Sequence, residues 1–96
     1  MNFYVYIIYS TSRNIFYTGI STNPIKRLQY HNNAKDGFTS HGRPWQLLWS
    51  TYIGSRSDAE ALEKKIKNLS QQRKIHFMKK YHDGIYDAEL FNSLKS

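Results

Sequence analysis

Two runs of apolar and aromatic residues open the chain. Tyr4-Val5-Tyr6-Ile7-Ile8-Tyr9 and Ile15-Phe16-Tyr17-Thr18-Gly19-Ile20 are rich in β-branched and aromatic side chains, and a polar segment, Ser10 to Asn14, separates them. The pattern predicts an antiparallel hairpin. With Tyr6 opposite Tyr17, both phenols leave the same face of the sheet. Asn23 then offers a helix N-cap and Pro24 a favoured first helical residue. A helix is expected from Pro24 to near Asp36-Gly37, with Ile25 and Leu28 on its core-facing side. Phe38 to Pro44 reads as a loop punctuated by Gly37, Gly42 and Pro44. Trp45 to Ile53 is aromatic and apolar with weak alternation, as in a strand covered on much of both faces, which assigns Trp45 and Trp49 to the core or its edge. Ser57-Asp58-Ala59-Glu60 has the form of a capping box. The helix it opens carries Ala59, Leu62, Ile66 and Leu69 as a buried stripe. Ser70 is placed to cap a further short helix, with Ile75, Met78 and Phe77 facing inward. After Gly84 the pattern specifies little.

The elements run β-β-α-β-α-α, which implies an α+β fold, a small three-stranded antiparallel sheet flanked by helices. Ninety-six residues amount to one domain. Its expected extent is 1–82, with 83–96 as a C-terminal tail. There is no cysteine, which excludes a disulfide scaffold, a zinc-thiolate site and a thiol nucleophile. Neither a signal peptide nor a membrane span is visible, so a cytoplasmic location is the simplest expectation.

Charge adds a partner. Fourteen Lys and Arg stand against seven Asp and Glu, a net charge of +7. Lys64, Lys65, Lys67, Arg73, Lys74, Lys79 and Lys80 form a basic segment without an acidic residue, while Asp83, Asp87 and Glu89 follow it. A basic segment in an aromatic-rich domain favours a polyanion, most commonly nucleic acid. Lys64, Lys67, Arg73 and Lys74 are its candidate contacts, with Arg43 from the loop before the third strand. DNA is the first expectation and RNA the alternative; a solvated helix face explains the lysines equally well.

Arg27 and His31, at i and i+4, share one face of the first helix. Glu63 lies beside Leu62 at the edge of the buried stripe, where a carboxylate can lean toward the sheet. Taken singly, each residue has a plain structural explanation. Tyr6 and Tyr17 suit a cross-strand aromatic pair, Arg27 and His31 suit a helix surface, and Glu63 suits an i,i+4 pair with Lys67. Together they supply what metal-assisted phosphodiester cleavage requires: a hard oxygen ligand, a guanidinium for the phosphate and a proton acceptor.

With these residues in this order, the chain resembles the GIY-YIG nuclease family, and within it the small stand-alone bacterial members. Relatives of that family include an excision-repair nuclease domain and the catalytic domains of intron homing endonucleases. Tyr4-Val5-Tyr6 and Tyr17-Thr18-Gly19 correspond to the two signature triplets, and Arg27, His31 and Glu63 follow at matching positions. Tyr4 replaces the glycine of the first triplet, Thr18 the aliphatic of the second, and Ile20 a lysine of the excision-repair branch. The resemblance implies that Tyr17 contacts the attacking water as base or relay, with Tyr6 or His31 assisting. It implies that Arg27 stabilises the pentacovalent phosphate, and that Glu63 holds a single Mg²⁺ or Mn²⁺. The expectation is a metal-dependent endonuclease acting on structured or damaged DNA, with specificity supplied in part by a partner protein. A catalytically weak or inactive nucleic-acid-binding module is the alternative. A protein-interaction domain, its acidic tail folded over the basic helices, is the third.

Overall fold

In the computed structural model, which describes residues 2–95, the sheet is antiparallel with strand order β2-β1-β3. Strand β1 spans Phe3–Ser10, β2 Ile15–Ser21 and β3 Trp45–Gly54. Helix α1 (Pro24–Asn33) and a 3-10 turn (Phe38–Gly42) join β2 to β3. Helices α2 (Arg56–Lys67), α3 (Gln71–Lys80) and α4 (Ala88–Leu94) follow. The α+β class and the order β-β-α-β-α-α are those the pattern predicts, and α4 extends the series.

Strand β1 is central and covered on both faces, so its apolar run is continuous rather than alternating. Val5, Ile7 and Tyr9 pack with Ala59 and Ile66 of α2, Met78 of α3 and Phe91 of α4. Tyr6 and Ile8 turn the other way, toward Trp45, Leu47, Tyr17 and Leu28 of α1. Each such aliphatic, fully buried, contributes about 1.5–3 kcal/mol. The weak alternation in β3 has a local cause. Ile7 pairs with Trp49 but Ile8 with Leu47, which leaves Leu48 as a bulge residue. Leu48 and Trp49 therefore enter the same core, while Trp45 and Leu47 face α1. Both tryptophans are buried, as expected. The Leu48 carbonyl accepts from the Tyr86 N–H at 2.8 Å, so the segment before α4 covers part of the outer edge of the sheet.

Several local expectations are corrected. Tyr6 lies opposite Gly19, and Tyr17 opposite Ile8. The turn sets this register: pairing begins at Ser10 and Ile15, and Asn14, at φ 52, donates its N–H to the Ser10 carbonyl at 2.7 Å. Because side chains alternate with period two, the offset keeps both phenols on one face as diagonal neighbours. Helix α1 stops at Asn33, short of Gly37, with Ala34 as its extended C-cap. Its inward residues are Pro24, Leu28 and His31, and Ile25 is exposed. The cap of α2 is Ser55, whose hydroxyl accepts from the Asp58 N–H, and not Ser57. Both serines have an acidic residue three positions on, but only Ser55 is extended just before the helix. Asn23 and Ser70 cap α1 and α3 as expected.

Candidate active site

The Tyr6 ring crosses directly over Gly19 and is only 1% exposed. A Cβ at position 19 would lie 2.5 Å from Tyr6 Oη and 2.6 Å from Cζ. The glycine of the second triplet thus makes room for the tyrosine of the first. Tyr6 Oη shares a hydrogen bond of 2.8 Å with His31 Nε2, across to the buried face of α1. His31 Nδ1 is buried without a partner. Burial pushes the Tyr6 phenol up to about 12, against the pull of the Arg27 guanidinium beside it, with Tyr17 and Glu63 pushing further. Tyr6 is therefore a neutral phenol at neutral pH. Its environment joins Arg27, Tyr17 and Glu63, from three different elements, around one buried hydroxyl.

Tyr17 is half-buried beside it. Its ring meets His31 at 5.0 Å edge-on, Trp45 at 6.3 Å and Phe38 at 6.0 Å. Lys67 Nζ lies 5.5 Å over the Tyr17 ring and 3.4 Å from Glu63 Oε2. Lys67 thus links the carboxylate to the tyrosine, a closer involvement than the general nucleic-acid contact read from the sequence. Ile20 packs against the core under α2. The ammonium near Tyr17 comes from α2, not from the strand. Arg27 stacks its guanidinium over Tyr30 at 4.1 Å, which orients it without burying it.

The other basic candidates stand apart. Arg43 is exposed and donates through Nε to the Ser40 carbonyl at 3.1 Å. Lys64 and Arg73 are exposed, and Lys74 is half-buried with its ammonium pKa lowered by that burial. No hydrogen bond, ion pair or ring contact among the described residues joins these four to the cluster. Phe38 and Trp45 complete the wall of the site, and the sequence had not marked them for it. The signal for Phe38 was faint: an aromatic alone in a glycine-flanked polar loop.

Among the described residues, no three His, Cys, Asp or Glu side chains stand together. Glu63 offers one hard carboxylate, and His31 Nε2 is committed to Tyr6. That donor set fits Mg²⁺ or Mn²⁺ retaining most of its waters and does not fit a zinc site.

Burial, and secondarily the Arg27 charge, lowers His31 to about 4. The unfolded imidazole titrates near its ordinary 6.5, so between these values the unfolded chain binds the extra proton. Stability from this group is present above pH 6.5 and lost as pH falls toward 4. Going from pH 7 to 5 is expected to remove about 2 kcal/mol through His31 alone. Chemical denaturation at both pH values checks this, and in His31→Leu the pH-dependent part should largely vanish.

The family model of the GIY-YIG catalytic domain matches residues 2–81, which take in the whole three-stranded sheet and helices α1 to α3. The chain belongs to the GIY-YIG family. Its similarity runs to the small bacterial UPF0213 proteins. One from Photorhabdus laumondii is 40% identical over 74 residues, covering 76% of this chain and 71% of that protein. The UPF0213 protein YhbQ of Escherichia coli O127:H6 is 33% identical over 94 residues, 97% of this chain and 90% of the relative. The solution NMR structure of a Bacillus halodurans UPF0213 protein superposes with TM-score 0.57 at 27% identity, over 99% of this chain and 96% of that one. No helix among the described residues is long and apolar enough to cross a membrane.

Proposed function

We propose that the protein is a metal-dependent endonuclease that hydrolyses DNA phosphodiester bonds, in structured or damaged DNA. One observation carries this reading. The Tyr6–His31 hydrogen bond sits where Arg27, Tyr17 and Glu63 converge from α1, β2 and α2. A packed tyrosine pair would not require that convergence.

Each residue then has a task. Arg27, fixed over Tyr30 and exposed on its outer side, meets a non-bridging phosphate oxygen and the charge that grows in the transition state. Tyr17 contacts the attacking water as base or relay. Burial raises the Tyr6 phenol to about 12, which suits it less to the part of base than to that of proton partner of His31; it holds His31 and the floor of the site in place. Glu63 would hold the divalent ion, which supplies Lewis acidity at the leaving oxygen. Lys67 shares that carboxylate, and its ammonium lies 5.5 Å over the Tyr17 ring. The water oxygen bonds to phosphorus, one bridging P–O bond breaks, and the departing oxygen takes up a proton.

The reading is tested with supercoiled plasmid and with branched and flapped oligonucleotides, in Mg²⁺ and in Mn²⁺. Cleavage of at least one is expected. Salt-sensitive binding that survives Glu63→Ala, without any cleavage, would instead favour the binding module. The protein-interaction reading finds less support, because Asp87 is engaged locally, accepting from the Leu90 N–H to cap α4, and Phe91 of that helix is buried in the core.

A further inference from the structure

Phe38 is 61% exposed at the rim of the site, and neither the fold nor the mechanism above accounts for it. Its ring lies 6.0 Å from that of Tyr17 at an interplanar angle of 28°. Three of the four exposed tyrosines have engaged faces, and the fourth, Tyr86, lies on the far edge of the sheet beside Leu48. Tyr30 lies under Arg27 at 4.1 Å, Tyr52 meets Tyr4 at 5.4 Å, and Tyr81 meets Phe77 at 4.8 Å. Tyr17 is the sole ring neighbour of Phe38 among the described residues.

The turn that carries Phe38 is firmly held. Thr39 is buried, and its carbonyl accepts from Trp45 Nε1 at 2.7 Å. Gly42 lies against the Trp45 ring, where a Cβ would clash. The Trp45 backbone is in turn clamped by the Asn32 side chain, at 2.5 Å through its N–H and 3.0 Å through its carbonyl. Ser40 Oγ closes the turn onto the Gly37 carbonyl at 2.7 Å, and Gly37 supplies the φ of 87° that turns the chain. A flat apolar ring is thus presented to solvent on a rigid mount, nearly parallel to Tyr17. Two cations, Arg27 and Lys67, flank the same site.

An uncharged aromatic face beside phosphate-binding cations suits one ligand chemistry, a nucleobase attached to a bound backbone. We infer that Phe38 is a nucleobase platform: an unpaired base beside the scissile phosphate stacks on its free face and so aligns that phosphate with Arg27 and Tyr17. The inference rests on the nuclease reading for the location of the phosphate. Phe38 is a positioning residue, acting through the nucleotide it holds. A plain hydrophobic cover over Tyr17 would be served equally well by leucine; a stacking platform would not.

The test uses a flapped oligonucleotide carrying 2-aminopurine at successive unpaired positions next to the junction, bound in EDTA so that no cleavage occurs. Wild type and Phe38→Trp are expected to quench the probe at one position. Phe38→Leu is expected to lose the quench and to bind about 5- to 100-fold more weakly, with an unchanged melting curve because the side chain is exposed. Quench retained in Phe38→Leu, or absent from the wild type, overturns the inference. Adding Mg²⁺ or Mn²⁺ to the same complex reports separately on the nuclease reading. Cleavage without a Phe38-dependent quench removes the platform alone, and quench without cleavage leaves the platform standing while removing the nuclease.

Discussion

Arg27→Ala is expected to lower DNA cleavage by about 10²–10³-fold while leaving the fold intact. The guanidinium is exposed and stacked on Tyr30, so its removal costs the fold about 1 kcal/mol or less. The catalytic loss is much larger because Arg27 faces charge that appears only in the transition state. The deficit should therefore fall on kcat, with DNA affinity changed by less than about tenfold. Single-turnover cleavage and equilibrium binding, measured on the same oligonucleotide, separate the two. A variant that binds poorly but cleaves at the normal rate once bound would make Arg27 a docking residue only.

Gly19→Ala should do the reverse, damaging the fold and the site together. The added methyl would meet the Tyr6 ring, which is buried and hydrogen-bonded to His31 and cannot move aside. Overpacking of this kind costs about 1–3 kcal/mol. It also displaces the phenol around which Arg27, Tyr17 and Glu63 are arranged. Urea unfolding should show the loss in stability, and cleavage at a temperature where the variant is folded should remain well below wild type. Wild-type stability in Gly19→Ala would mean that Tyr6 does not lie over this strand as described.

Much of this was legible in the sequence, for identifiable reasons. Asn23 with Pro24 and Ser70 mark helix starts through local chemistry that needs no tertiary context. The stripe of Ala59, Leu62 and Ile66 fixes which side of α2 is inward, although Leu69, expected to continue it, lies beyond the helix end at Lys67. That orientation carries Glu63 to the edge where it meets Lys67. The order and spacing of Tyr6, Tyr17, Arg27, His31 and Glu63 were sufficient to expect a joint site.

What was missed depends on long-range geometry. The direct Tyr6–Tyr17 pairing failed because the turn at Asn14, not aromatic matching, sets the register. The role of Gly19 follows only from that register. Ile25 looked apolar enough for the core, but the inward face of α1 belongs to Pro24, Leu28 and His31. The buried place of His31 came from Tyr6, twenty-five residues away. Leu48 and Trp49 share a face through a bulge that no periodicity announces. Phe38 gains meaning only once Trp45 has anchored its turn beside Tyr17.

The central claim, that this cluster cleaves phosphodiesters through an ion on Glu63, is tested most directly by nicking of supercoiled plasmid. Wild type and Glu63→Ala are compared in Mg²⁺ and in Mn²⁺, with EDTA as the control. The side chain is half-buried at the edge of α2, and its ion pair with the half-exposed Lys67 adds little to the fold, so the variant should melt and bind DNA much as wild type does. The account predicts nicking by wild type that EDTA abolishes, and a rate for Glu63→Ala lower by about a hundredfold or more. Equal nicking by both proteins would contradict it.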